Sequence, residues 1–177
     1  EIRFEAIRGL VRRGSLDHVP ALAKFVGHSE YSYSLGASET LFDYGGERIP
    51  EIARQVLRQE DSYLRRLALN TLSERRVLDA TADALLCLTH PDPRLQQAAL
   101  HYLGQSLALR KDSNILRSIR DSLSAMDNET MGTALSLLAS AEDAESRTVV
   151  KRELRSGRLA DADRVLCSLS ISCGGSA

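Results

Sequence analysis

Four histidines and three cysteines are the residues of this chain whose chemistry could hold a metal or run a redox couple. They are His18, His28, His90 and His101, with Cys87, Cys167 and Cys173. A zinc site built on a helix asks for two ligands on one face, four residues apart, and no two histidines here have that spacing. His28 in GHSE and His90 in THPD do fall at corresponding places, but too far apart along the chain for helices packed about 10 Å from one another to bring them to one ion. Their expected role is local, an imidazole at a helix end meeting the last carbonyls and the negative end of the dipole. The cysteines are odd in number and scattered, which suits reduced thiols in a cytosolic protein. Cys167 and Cys173, in CSLSISC, have no metal or redox spacing. No glycine-rich phosphate loop is present. The pairs Arg12-Arg13, Arg65-Arg66 and Arg75-Arg76 read as solvated charge. No catalytic constellation emerges, so the expectation is a noncatalytic protein without cofactor or metal.

Composition points the same way. Of 177 residues, 43% are hydrophobic but only 5% aromatic, with no Trp, so a core must be built from Leu, Ala, Val and Ile. With four Pro and few β-branched runs, that mixture favours helices. A net charge of −1 gives no general attraction to phosphate backbones or anionic membranes. No apolar run approaches the roughly 20 residues that cross a bilayer. A cytoplasmic location is expected, and a first residue other than Met suggests a piece of a longer protein.

The elements that would position any site repeat. DPRLQQAALHYLG (92–104) superimposes on DSYLRRLALNTLS (61–73) after a shift of 31 residues, then on EYSYSLGASETLF and on the N-terminal EIRFEAIRGLV. A small column reads Ala6, Ala37, Ala68, Ala99, and a large column reads Leu10, Leu41, Leu72, Leu103. An insertion of four residues near ALRKDS shifts the fifth copy to Ala134 and Leu138, and a sixth half-copy reaches Val165 and Leu169. Such periodicity marks an internal repeat. Between these first helices lies a second in each copy: DHVPALAKFVGH matches ERIPEIARQVLR, with Pro20 and Pro50 in the first turn, where no intrahelical donor is lost. Gly14, the Gly45-Gly46 pair and Gly157 are expected at helix ends in left-handed backbone. Each copy is then two antiparallel helices of about 12 residues. One such pair cannot cover its own apolar face and must stack on the next.

These motifs resemble a known family. Asp-Pro-x-Leu-x-x-x-Ala-x-x-x-Leu-Gly, followed by a helix opening Val-Pro-x-Leu, is similar to the short HEAT-like repeat of about 30 residues found in phycobilisome lyases and bacterial scaffold proteins. The resemblance implies an all-α fold, a right-handed α-α superhelix (an α-solenoid), over the whole chain as one domain. Its units would be 1–28, 29–59, 60–90, 91–126 and 127–157, with a partial sixth at 158–177. Arg3 and Arg65 match an arginine common in that family, where Ser34 and Gln96 depart from it; for Arg65 a structural role is expected, a hydrogen bond to a neighbouring turn. Deoxyhypusine hydroxylases use similar repeats and hold iron with His-Glu dipeptides, none of which occurs here. The repeat itself specifies no function.

What remains is surface. In an α-solenoid the second helices line the concave side, the usual binding face. Outside the core positions it carries Lys24, then Arg54 and Arg58, then Asp79 and Asp83, then Arg117 and Arg120, then Lys151 and Arg152. Basic ends and an acidic middle fit a protein partner better than nucleic acid. Tyr31 and Tyr63 fall outside the core columns and are candidate contacts, Tyr being common in interface hot spots. The apolar face of the first helix has no cap before it, which suggests further repeats or self-association. The expected function is a scaffold binding a protein partner on the concave face. The alternatives are an accessory or lyase-type protein acting on a modified partner, or a nucleic-acid binder.

Overall fold

A computed structural model describes residues 2–110, 112–141 and 143–156. Every regular element among them is helical. The chain divides into two compact units, Glu1–Ala80 and Thr81–Ala177, so the boundary falls inside the third copy of the repeat. The first unit holds α1 (Ile2–Arg12), α2 (Val19–Ala23), α3 (Tyr31–Tyr44), α4 (Ile49–Leu57) and α5 (Ser62–Glu74). The second holds α6 (Thr81–Cys87), α7 (Pro93–Arg110), α8 (Ser113–Ser122), α9 (Asn128–Ser140) and α10 (Ala144–Ser156).

Local sequence explains these boundaries. Asp61 and Asp127 accept the backbone N–H three residues on, at 2.7 and 2.8 Å, and so start α5 and α9. Those hydrogen bonds from Thr130 hold the Asp127 carboxyl below the usual carboxylate range. Pro20 and Pro50 sit in the first turns of α2 and α4, each entered through a 3₁₀ turn, Leu16–His18 and Gly46–Arg48. These turns take up residues, so α2 has 5 and α4 has 9, shorter than the sequence suggests; α6, with no such turn before it, has 7.

Helix ends show where left-handed backbone is needed. Gly14 has φ +88°, and Ser15 N–H reaches back to the Leu10 carbonyl at 3.1 Å. Two copies later Arg76 takes the same role at φ 54°, with Val77 N–H on the Leu72 carbonyl at 2.9 Å. A side chain there costs energy that glycine avoids. Of the Gly45-Gly46 pair only Gly46 has positive φ. Gly45 is needed for space, since a Cβ would meet the Leu41 carbonyl. Gly157, Val165 and Leu169 lie outside the described residues.

Within each unit the packing follows the columns. α1 lies against α3 and α3 against α5, with α4 packed on both α3 and α5; in the second unit α7 lies against α9, while α8 contacts both α6 and α10. Ala37, Ala68, Ala99 and Ala134 are all fully buried, as are Leu41, Leu72, Leu103 and Leu138. A fully buried alanine is the residue that a close approach of a neighbouring element would need there. The first copy differs: Ile2 is 88% exposed, Ala6 is exposed and Leu10 only half-buried.

Candidate functional site

The histidines all have local work. His28 Nδ1 accepts from the Glu30 N–H at 3.0 Å, and His90 Nδ1 accepts from the Asp92 N–H at the same distance. Each imidazole thus orders the turn into the next first helix, rather than binding the carbonyls behind it. His18 Nδ1 pairs with the Ser15 hydroxyl at 2.8 Å, and His101 with the Gln105 amide at 3.1 Å. Cys87 is buried, its thiol on the Asp83 carbonyl at 3.2 Å. Cys167 and Cys173 lie outside the described residues. Among the described residues no three His, Cys, Asp or Glu side chains gather as metal ligands, and no helix is long and apolar enough to cross a membrane.

The column of Arg3, Ser34, Arg65 and Gln96 is structural at two of its positions. The Ser34 hydroxyl accepts the Gly27 N–H at 2.9 Å. The buried Gln96 amide donates to the His90 carbonyl at 2.8 Å and to the Ala125 carbonyl at 3.1 Å, tying the turn before α7 to the end of the α8 segment.

The second helices carry most of the candidate contact residues, and the structure sorts these into two kinds. Arg54 and Arg120 occupy equivalent places, since Ile49, Ala53 and Leu57 correspond to the equally buried Ile115, Ile119 and Leu123. Both guanidiniums are turned onto their own chain. Arg54 Nε and Nη2 donate to the Asp79 carboxylate at 3.2 and 2.5 Å. Arg120 donates from Nη1 to Asp143 Oδ1 at 3.2 Å and to the Ser146 hydroxyl at 3.0 Å, and from Nη2 to Glu145 Oε2 at 2.6 Å. In each case the acceptor lies at the entrance of the following second helix, with Asp79 in the turn ahead of α6 rather than on it. An acid 25 residues after the arginine is the signal that could have found both staples. The Asp143 carboxyl is pushed up by burial, but hydrogen bonds from Ser146 and the Arg120 charge outweigh this and hold it below its ordinary value.

The second kind faces solvent. Lys24 and Arg58 cap the ends of α2 and α4, and Lys151 stands on α10; all three are exposed. Arg117 is 77% exposed, 3.8 Å from Asp121, and Arg152 is 70% exposed beside Glu153 at 3.0 Å. The Arg117–Asp121 pair, exposed on both sides, contributes little to stability and leaves Arg117 available to a partner, whereas Arg152 meets a buried Glu153. In the second unit α8 and α10 flank a polar cleft of about 420 Å³ lined by Arg120, Asp121, Glu145, Thr148, Val149 and Arg152.

Tyr31 and Tyr63 sit elsewhere, at the starts of the first helices α3 and α5. The structure brings them together. Burial, then the charges of Asp61 and Glu39 with the neighbouring Tyr63, raise the Tyr31 phenol above its ordinary pKa. The Tyr63 hydroxyl reaches Glu39 at 3.5 Å, and the Arg66 guanidinium lies 5.1 Å from its ring centre. Tyr33, half-buried on α3, instead joins Phe4 at 4.9 Å and His28 at 5.3 Å in an aromatic cluster.

No protein-family model matches this chain, and no curated protein matches it either.

Proposed function

We propose that this chain is a noncatalytic scaffold, an α-solenoid of short HEAT-like repeats that binds a protein partner on the face formed by its second helices. The observation that carries the reading is the pair of columns at Ala37, Ala68, Ala99, Ala134 and Leu41, Leu72, Leu103, Leu138. All eight are fully buried, as expected when equivalent hairpins stack in series. Stacking of that kind uses the first helices for internal packing and presents the second helices side by side, giving a long surface for recognition. Arg58, Arg117, Lys151 and Arg152 are the contacts, with Lys24 at the N-terminal end. Arg54 and Arg120 shape that surface from within. Tyr31 and Tyr63 lie on the first helices and form no part of it. The open face of α1 at Ile2, Ala6 and Leu10 receives another helical element, from further repeats or from a second copy.

The test places a photo-crosslinking benzoylphenylalanine at Arg58, Arg117 or Lys151 on the second helices, and at the exposed Asn70 or Thr133 on the first. Irradiation in the cells that make the protein should join one discrete protein to the second-helix positions and none to the first. Adducts only from Asn70 or Thr133, adducts removed by nuclease, or none at all would overturn the reading.

A further inference from the structure

Arg12-Arg13-Gly14-Ser15-Leu16 runs from the end of α1 into the 3₁₀ turn before α2. Both arginines are exposed, and neither guanidinium makes a hydrogen bond or an ion pair among the described residues. Arg8, one turn earlier, instead pairs with Glu5 at 3.2 Å. Leu16 is a large apolar side chain left 57% exposed beside Gly46. Ser15 stands between the two helical segments in non-helical backbone, at φ −78° and ψ 87°. Its half-buried hydroxyl pairs with His18 Nδ1 at 2.8 Å. Gly14, at φ +88°, has nothing within 4 Å of where a Cβ would stand, so the serine can be approached from that side.

Few bonds hold this turn. The Gly14 N–H reaches the Val11 carbonyl at 2.9 Å, the Ser15 N–H the Leu10 carbonyl at 3.1 Å, and the His18 N–H the Ser15 carbonyl at 3.2 Å. Arg12, Arg13, Gly14, Leu16 and Asp17 are all exposed, so opening those bonds bares no core side chain. Such a helix end can be drawn into an extended strand while the rest of the fold stays closed.

The spacing is specific within this chain. Of its three arginine pairs, only Arg12-Arg13 has a serine two residues after its second member; Ala68 and Leu78 stand there after the other two. Arg110-Lys111-Asp112-Ser113 has the same basic spacing, but an acid precedes that serine and the polar Asn114 follows it. Asp112 also accepts the Asn114 N–H at 2.9 Å, which fixes that serine at the start of α8. An enzyme that modifies serines beside arginines reads them with facing carboxylates and takes the next side chain into an apolar pocket.

We propose that Ser15 is a phosphorylation site for an arginine-directed protein kinase, recognised through Arg12, Arg13 and Leu16. The phosphoryl donor is a nucleoside triphosphate with Mg²⁺. Ser15 Oγ forms a bond to the γ-phosphorus, the bond from that phosphorus to the β–γ bridging oxygen breaks, and the nucleoside diphosphate leaves. The hydroxyl proton passes to a carboxylate base of the kinase. A phosphoserine carries about −1.5 to −2 charges at pH 7, so it offsets the two free arginines and neutralises an exposed basic corner. The site stands independently of the scaffold reading.

The test incubates the intact 177-residue chain and Mg-ATP with the catalytic subunit of cyclic-AMP-dependent protein kinase, an arginine-directed probe, or with an acid-directed casein kinase. Fragmentation mass spectrometry locates the phosphate. The first kinase should modify Ser15 with a kcat/KM within about tenfold of that for a free peptide of residues 9–18. Arg12→Ala/Arg13→Ala should lower kcat/KM about a hundredfold and Leu16→Ala about fivefold. Both variants change exposed side chains, and an unaltered circular dichroism spectrum shows that the fold is kept. The chain isolated from its own cells with phosphatase inhibitors present should carry the same phosphopeptide. Modification of the peptide but not of the intact chain would overturn the proposal. So would a phosphate on Ser113 in place of Ser15, an unchanged rate without the two arginines, equal labelling of Ser15 by the acid-directed kinase, or no Ser15 phosphate in cells.

Discussion

The first and third copies of the repeat share the column pattern, and the column residues live in opposite environments. Ile2, Ala6 and Leu10 align with Leu64, Ala68 and Leu72, yet Ile2 is 88% exposed while Leu64 is 2% exposed and Ala68 and Leu72 are fully buried. The first helix instead buries Phe4 and Val11, so which face is covered depends on what packs against the helix and not on the column pattern alone. The same column is therefore a buried surface in the third copy and an exposed one in the first.

Truncation should separate the copies most sharply. Leu72→Ala or Leu103→Ala removes a fully buried side chain and should cost about 2–5 kcal/mol in urea unfolding. Leu10→Ala, at a half-buried position, should cost clearly less, and an equal cost would erase the distinction between edge and interior.

The arginine staples offer a smaller contrast between the units. Arg120 is 14% exposed and serves three acceptors, whereas Arg54, which reaches the Asp79 carboxylate, is 37% exposed. Arg120→Ala should lower stability by about 1–3 kcal/mol, and Arg54→Ala by less than about 1 kcal/mol. Thermal unfolding of the two variants decides this, and a larger loss from Arg54→Ala would reverse the ranking. The smallest effect has the opposite sign. Gly14 and Arg76 close equivalent helix ends with positive φ, so Arg76→Gly should raise stability by up to about 1 kcal/mol. A fall in melting temperature would show that the Arg76 side chain contributes more than its backbone costs.

The columns were legible because alanine between leucines at a fixed interval has few explanations besides close helix approach. Element lengths were less so: Pro20 and Pro50 were read correctly as first-turn residues, but the 3₁₀ turns before them shorten α2 and α4. The histidine pair was identified at one repeat position, but its direction was misread, since the rings accept from the following turn. Arg54 and Arg120 looked like partner contacts because a helical face shows where a side chain starts, not which acid it reaches. The insertion was visible as four residues near ALRKDS, and the structure shows that α7 runs on through it to Arg110. Tyr31 and Tyr63 were rightly set outside the core columns, yet only the fold brings them together on α3 and α5.

The most direct measurement is a leucine scan of the small column, Ala6, Ala37, Ala68, Ala99 and Ala134, read by urea unfolding. Each of the four buried positions should lose about 1–3 kcal/mol, and Ala6 should change by no more than about 0.5 kcal/mol. Comparable losses at all five, or none at Ala68 and Ala99, would contradict it.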